Sequence, residues 1–475
     1  MGAMDIEQLR ARVRGTLIQP DDAEYDSARK VYNAMIDKRP ALIVRCVDTA
    51  DVIASVNYAR ANDMVTAIRG GGHNGAGLST CDDGIVIDLS RMKGIRVDPV
   101  ARTVRVEAGC TGGEMDHATH AFGLATPSGT VSTTGMAGLT LGGGIGHLTR
   151  PFGLTIDNLL EADVVLADGR FVTANEKQHA DLYWALRGGG GNFGVVTSFL
   201  FRLHPVTMVS AGPTFWPIEQ TPEVMKAYQE FILQAPVDVS GFLAFLTVPA
   251  VPLFPPEIHG RKVCAIIWCS TADPERADRA TKAMRTVGTP LLDHVGPMPF
   301  PVLQGLFDPL LPAGLQWYWR ADFVKTFGAD AIATHHQEAL KMPPGLSQVH
   351  VYPINGAAHR VGSGDTPFSY RDANFAVVIV GVDPDPRQKD VITTWCKAYF
   401  DATHLYSAGG AYINFMMEEG QERVQAAFRD NYSRLAQVKG QYDRPTCSAS
   451  TRTSIRPEWL SKRTSGPTMD LSGPR

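Results

Sequence analysis

A histidine enclosed by glycines is the feature of this chain most ready for chemistry. Residues 69–77 read Arg-Gly-Gly-Gly-His-Asn-Gly-Ala-Gly, which sets His73 inside a run of five glycines. Glycine loses more backbone freedom on folding than any other residue, so this density needs a local reason. A tight turn whose amides approach something anionic or planar is such a reason, because side chains would block the approach. The histidine in that turn is a candidate functional residue; the alternative is an ordinary turn histidine. Residues 141–146, Leu-Gly-Gly-Gly-Ile-Gly, and 188–194, Gly-Gly-Gly-Gly-Asn-Phe-Gly, have the same character. Three such clusters point to one extended ligand held by backbone; the plainer reading is of glycines that only turn the chain.

Several elements must position these loops. The first loop follows an apolar run at 64–68 that reads as a strand. Before it come a buried strand at 41–46 and a helix at 49–62, with Thr49 as candidate cap and Ile53, Val56 and Ala59 on one face. After it comes a strand at 84–89, so residues 41–90 form a small α/β layer. Short helical pieces are expected at 6–14 and 24–32. From 95 the pattern alternates with period two, at 95–98 and 103–108. A helix at 112–123 follows, then a hairpin at 160–173 turning on Asp168-Gly169, a helix at 181–186 and a strand at 195–203. Residues 205–213 mark a boundary. Beyond it, helices at 223–234, 272–287 and 325–341 sit between strands at 241–248, 262–269, 350–352 and 376–382. That order predicts a sheet with helices on one face, and its aromatics suit either a pocket or a core. Residues 248–256 and 357–370 read as loops. A long helix is expected at 418–439, with Val424, Phe428, Tyr432 and Leu435 as its apolar positions.

The bulk numbers narrow the classes. The chain has 475 residues, 44% of them hydrophobic and 20% charged, enough for two or three domains. A net charge of -4 without a basic block argues against a nucleic-acid binder. No run reaches the length of a membrane span, so no membrane partner is expected. Residues 1–4 read as an appended leader. Residues 5–40 carry charges throughout, so the expected location is cytoplasmic, or secreted if a signal peptide preceded this chain. Seven cysteines make no CxxC pair, so buried free thiols are expected rather than a zinc site or a disulfide scaffold, and no metal is expected.

At the glycine clusters the sequence resembles the FAD-linked oxidases of the vanillyl-alcohol oxidase, PCMH-type superfamily, in particular the berberine bridge enzyme-like branch. The residues that carry the resemblance are the 69–77 loop, the run Gly-Met-Ala-Gly-Leu-Thr-Leu-Gly-Gly-Gly-Ile-Gly at 135–146, Gly-Leu-Thr-Ile-Asp-Asn-Leu at 153–159, the 186–194 cluster, and Tyr412-Ile-Asn414 before the last helix. The resemblance implies an α+β fold: a two-subdomain FAD-binding domain at 5–205 (subdomains 5–94 and 95–205), and a substrate domain at 206–404 with an antiparallel sheet and helices on one face. Residues 405–475 then return to the FAD domain. It implies FAD bonded through His73 to the flavin 8α carbon. It gives cofactor-binding roles to Arg69, Gly70, Gly71, Gly72, Asn74, Gly75, Gly77, Leu78, Gly135, Gly138, Leu141, Gly142, Gly143 and Gly146. Asp157 and Asn158 order that last loop, and Gly190, Asn192, Gly194, Val196 and Asn414 complete the set. Relatives with a second link carry a cysteine where this chain has Val131, so one covalent bond is expected, and with it a smaller or flatter substrate than a long oligosaccharide.

The implied reaction removes hydride from a C–OH or C–N carbon of a small organic or sugar substrate and passes the electrons to dioxygen. Tyr412 is the first candidate for the base and Asn414 for a flavin or substrate hydrogen bond. Glu418 and Glu419 are alternatives that helix-dipole preference explains as well, and His350, Tyr318 and Trp319 are further pocket candidates. A dehydrogenase with poor oxygen reactivity and a flavin-binding protein without turnover stay open; peroxide release and flavin bleaching separate them. Substrate identity and oligomeric state are not readable. Relatives continue after Tyr442-Asp443 with an apolar segment, whereas residues 444–454 read Arg-Pro-Thr-Cys-Ser-Ala-Ser-Thr-Arg-Thr-Ser. Back-translated one base out of phase, the relatives' segment yields nearly this string, which points to a local frameshift that resequencing the DNA decides.

Overall fold

The computed structural model describes residues 4–443; the altered interval at 444–454, and with it Cys447, lies outside them. The chain opens with α1 (Ile6–Arg10), β1 (Thr16–Ile18) and α2 (Tyr25–Ala28), then runs through β2 (Leu42–Arg45), α3 (Thr49–Ala61), β3 (Thr66–Arg69) and β4 (Ile85–Asp88). The sheet order is β1-β2-β4-β3, with β2 and β3 parallel to β4 and β1 antiparallel to β2. Ile43, Val44, Ile85, Val86 and Ile87 are fully buried, as the strands of a parallel layer covered on both faces must be. The helix cap is Asp48 rather than Thr49: its carboxylate accepts from the Asp51 amide at 3.0 Å. The inward face of α3 is Val52, Val56 and Ala59, with Ile53 turned partly outward.

The second sheet is antiparallel. It takes β5 (Ile95–Asp98) and β6 (Thr103–Glu107), leaves through α4 (Gly112–His120), β7 (Leu124–Ala125), α5 (Met136–Gly142) and α6 (Thr149–Phe152), and returns as β8 (Leu159–Val165) and β9 (Phe171–Asn175). After α7 (Ala180–Leu186), β10 (Val195–Arg202) completes the order β5-β6-β10-β8-β9. The Asp168-Gly169 turn closes the β8–β9 hairpin, with Gly169 at φ 84°.

The third sheet has eight strands, all antiparallel. β11 (His204–Pro205) leads into β12 (Met208–Pro217), which begins within the interval 205–213 read as a boundary and takes the chain from the second sheet into the third. Then come α8 (Thr221–Gln234), β13 (Val239–Thr247), β14 (Lys262–Ser270), α9 (Pro274–Arg285), β15 (Leu292–Asp293), β16 (Gly296–Pro299), α10 (Phe300–Gln304), β17 (Gln316–Val324), α11 (Ala329–Leu340), β18 (Gln348–Pro353), β19 (Phe375–Asp383) and α12 (Lys389–Thr403). The strand order is β15-β12-β14-β13-β18-β19-β17, with β16 also on β12. Period-two alternation sorts the two faces. Leu243, Phe245, Val349, Val351, Val377 and Ile379 pack under α8, α9, α11 and α12. Phe242, Ala244, Tyr352, Val378 and Val380 turn to the other face and join the core of the first two sheets. The expected helix at 325–341 begins only at Ala329, and strand β17 and helix α12 are additions to the sequence reading. The expected long C-terminal helix is two, α13 (Gln421–Phe428) and α14 (Asn431–Tyr442), broken at Arg429, whose φ is 46°. Among the described residues no helix is long and apolar enough to cross a membrane, and the six cysteines are free and buried.

Candidate active site

A cavity of about 310 Å³ lies where the free face of the third sheet meets the glycine loops. The loop after β3 forms one wall with Gly70, Gly71, Gly72, His73, Asn74 and Leu78. Gly71 packs so closely on Gly135 that a Cβ on it would stand 2.4 Å from the Gly135 amide nitrogen. That contact joins the first loop to the start of α5, whose Gly135, Gly138 and Leu141 also border the cavity. Gly190, Gly194 and Val196 border it further along. At Gly72, which has φ +71°, and at Gly138 and Gly191, an added Cβ would meet no protein atom within 4 Å. Bare backbone facing open space at three points of one wall fits a large flat group with a phosphate portion.

Other residues expected on this wall stand behind it. Arg69 donates to the Ala28 carbonyl at 2.5 Å and lies beside Asp88. Asp157 forms a two-pronged pair with Arg371 at 2.7 and 2.8 Å. Asn158 holds the Phe152 and Leu154 carbonyls, and Asn192 holds the Gly189 carbonyl. Gly75 makes room for the Trp319 indole, Gly77 for Ile36, Gly142 for the Asn414 amide, Gly143 for Phe368 and Tyr412, and Gly146 for the Ser128 carbonyl. These residues shape the loops and do not line the cavity.

His73 borders the cavity and is otherwise enclosed by protein. Its ring stacks on Tyr32 with centroids 3.9 Å apart and planes 19° from parallel. Its Nε2 lies 3.1 Å from Thr133 Oγ1. Enclosure lowers its pKa to about 4, because the charged ring would lose its hydration, so the imidazole is neutral at ordinary pH. Val131 borders the cavity too, and carries no thiol.

Tyr412 and Asn414 reach the cavity from the segment before α13. Tyr412 is buried, and its Oη accepts from the Gly144 amide and from Asn414 Nδ2, both at 2.8 Å. Burial pushes its pKa up to about 12. Asn414 Nδ2 also donates to the Leu139 carbonyl at 3.1 Å. Glu419 is enclosed in ion pairs with Arg320 at 2.6 Å and Arg423 at 3.2 Å, and Glu418 is exposed; both precede α13, and neither borders the cavity. Alternation along β17 sends Trp317 and Trp319 to the cavity and Tyr318 to the helix face.

The third sheet adds residues the sequence reading did not single out: Gln348 and Tyr352 beside His350 on β18, with Val378 and Val380 on β19. Tyr32 comes from the N-terminal segment. The available signal was the polar–apolar alternation of Gln-Val-His-Val-Tyr at 348–352, which marks one polar face of a strand. Among the described residues no lysine, arginine, aspartate or glutamate borders the cavity.

The comparisons with known proteins agree with this geometry. Residues 40–175 match the family model described as an FAD binding domain, and residues 411–446 match the one described as berberine and berberine like. The second match ends at residue 446, three residues into the altered interval. The chain is 31% identical over 448 residues to an FAD-linked oxidoreductase of Dictyostelium discoideum, covering 94% of this chain and 95% of that one. It therefore belongs to the FAD-linked oxidoreductases of the vanillyl-alcohol oxidase, PCMH type, related to the berberine bridge enzyme-like branch, and is an FAD-dependent enzyme. It is also similar to the (R)-6-hydroxynicotine oxidase of Paenarthrobacter nicotinovorans, 38% identical over 207 residues, 43% of this chain and 45% of that one. Its fold is similar to that of a glucooligosaccharide oxidase from Acremonium strictum with a 6-S-cysteinyl, 8α-N1-histidyl FAD, at a TM-score of 0.81 and 20% identity over 94% of this chain and 99% of that one.

Proposed function

We propose that this enzyme is an oxidase that carries FAD on His73, removes hydride from the C–OH or C–N carbon of a small uncharged substrate, and passes the electrons to dioxygen with release of hydrogen peroxide. The observation that carries the reading is the cavity wall. His73 and bare glycine backbone stand on one side, aromatic rings on the other, and among the described residues no carboxylate, ammonium or guanidinium borders it. A charged substrate buried there would lack a counter-charge, at a cost of several kcal/mol. Aromatic walls suit a flat ring. The hydroxynicotine oxidase among the relatives is therefore a nearer guide to substrate size than the oligosaccharide oxidase.

When bound, FAD supplies the two-electron oxidation, accepting the carbon-bound hydrogen with its electron pair and returning the electrons to dioxygen. The backbones of Gly70, Gly71, Gly72, Gly135, Gly138 and Gly190 would hold it. His73, neutral and fixed by Tyr32 and Thr133, offers a ring nitrogen for the bond to the 8α carbon. Val131 leaves no partner for the second, cysteinyl bond.

The test is a panel of benzyl alcohol, 4-hydroxybenzyl alcohol, cyclohexanol, benzylamine and cellobiose, scored by anaerobic flavin bleaching and by peroxide under air. Bleaching with peroxide from the neutral ring alcohols is expected. Bleaching without peroxide would mean a dehydrogenase, and no bleaching at all a flavin-binding protein without turnover. A yellow fluorescent band on a denaturing gel reads out the covalent bond.

A further inference from the structure

The oxidation leaves one task to the chain: taking the proton from the oxygen or nitrogen of the substrate. We propose that Tyr352 accepts that proton while passing its own to His350, with Gln348 holding the imidazole in place; the assignment rests on the oxidase reading above. The strand brings the three together. On β18, residues 348, 350 and 352 alternate with Val349 and Val351, which face the helices, so all three polar side chains stand on the cavity wall. Tyr352 Oη lies 2.6 Å from His350 Nδ1, and His350 Nε2 lies 2.9 Å from Gln348 Oε1. A carbonyl oxygen only accepts, so Nε2 carries the ring hydrogen and Nδ1 accepts from the phenol. Tyr352 Oη, having given its hydrogen to His350, keeps its lone pairs. One lies within reach of Thr130 Oγ1 at 3.3 Å, and the other is left for a substrate hydroxyl or amine.

The step balances. The substrate C–H bond breaks with its electron pair leaving in the two-electron oxidation already described. The O–H or N–H bond breaks, its proton bonds to Tyr352 Oη, the Tyr352 O–H proton moves to His350 Nδ1, and a C=O or C=N bond forms. Tyr352 ends as it began, a neutral phenol, and His350 ends as an imidazolium donating to Gln348. Tyr412 has no such opening, since the Gly144 amide and the Asn414 amide already occupy its oxygen. The groups facing His350 are Tyr352 and Gln348 on its own strand, Phe242 and Ala244 on β13, Val378 on β19, and His147 from the loop after α5. None is a carboxylate or a fixed cation. Burial therefore keeps His350 neutral at rest, with its pKa lowered to about 3; the imidazolium can form only as the two-electron oxidation places a negative charge in the same cavity to offset it.

The test uses the FAD-loaded enzyme with Tyr352→Phe and His350→Gln, beside Val351→Ala on the opposite face of the same strand. Tyr352→Phe is expected to keep the wild-type visible spectrum and bleach about 100-fold more slowly with each panel compound that bleaches the wild type, with half-saturation changed less than about threefold. His350→Gln should slow bleaching about tenfold or more, and Val351→Ala should leave it unchanged. A second readout needs no substrate. With 15N-labelled histidine, one imidazole should show the Nε2–H tautomer, stay neutral at pH 5, disappear in His350→Gln and shift at Nδ1 in Tyr352→Phe. Bleaching of Tyr352→Phe at the wild-type rate, an Nδ1–H tautomer, or an Nδ1 signal indifferent to Tyr352→Phe would overturn the assignment. A wild type that no panel compound bleaches would overturn the oxidase reading instead, while the imidazole signals still decide the hydrogen-bonded chain.

Discussion

His73 is held from two sides, and the two contacts do different work. The Tyr32 ring lies flat against it and is itself pinned by its hydroxyl to the Leu311 carbonyl at 2.6 Å. Thr133 reaches Nε2 from the opposite strip of chain and fixes the rotation of the ring. A stacked pair contributes about 1 kcal/mol and a hydrogen bond a similar amount, so losing either lowers the share of correctly oriented rings about fivefold. Thr133→Val and Tyr32→Leu should each slow covalent attachment by roughly that factor while leaving FAD bound, and His73→Ala should abolish attachment. The fluorescence of the denatured band against total flavin, followed over time after FAD is added to the apoprotein, measures this. Wild-type attachment rates in both Thr133→Val and Tyr32→Leu would show that the ring needs no help.

Strand β18 places chemistry and packing on opposite faces of six residues, and substitutions should separate them. Val351 is buried under the helices. Val351→Ala should lower unfolding stability by about 2 kcal/mol through the lost methyls and the void they leave, as denaturant titration would show. A loss of stability near zero would mean that the helix layer closes over the gap. The glycine loops, the β8–β9 hairpin and the paired faces of the third sheet were legible because their signals are local: a turn residue, an Asp-Gly pair, an alternation. The misses have physical causes of the same kind. β12 carries Pro213 and Pro217, residues that ordinarily mark the end of a strand. In β17 the run Trp317-Tyr318-Trp319 hides its alternation, because both faces of that strand are covered by protein. α13 and α14 part at an arginine, not at glycine or proline. Arg429 adopts its left-handed φ while its guanidinium lies 3.5 Å over the Tyr370 ring and pairs with Asp372 at 2.8 Å. Tertiary partners hold that break, and no local pattern announces it.

The cavity exists only because distant parts of the chain close on one another, and Asn33 is one of the fasteners. It is buried; its Nδ2 donates to the Gly75 carbonyl at 2.8 Å and the Trp317 carbonyl at 3.0 Å, and its Oδ1 accepts from the Trp317 and Met35 amides. It thus joins the N-terminal segment, the glycine loop and the third sheet, which is why Tyr32 and Trp317 meet at the site although sequence patterns could not pair them. Asn33→Leu would leave several buried backbone groups unpaired and should cost about 3 kcal/mol or more in denaturant titration. The fold as a whole also carries a charge-linked weakness toward acid. Burial lowers the pKa of His73, His204 and His335 to about 4 and of His147 and His350 to about 3, all from 6.5. Between those folded values and 6.5 the unfolded chain binds protons that the folded chain refuses, so stability falls as pH drops through that window. Asp116, raised to about 7, and Asp322, raised to about 6, work the other way, because the folded chain there holds protons that the unfolded chain has released. Five groups outweigh two, and each uncompensated proton is worth about 1.4 kcal/mol per pH unit. The midpoint of thermal unfolding should therefore be highest near pH 7 and fall by several degrees by pH 5, and His147→Phe, which removes a buried ring nitrogen without a partner, should flatten the slope. A midpoint that rises on going from pH 7 to pH 5 would mean that the two aspartates, and not the histidines, govern the acid limb.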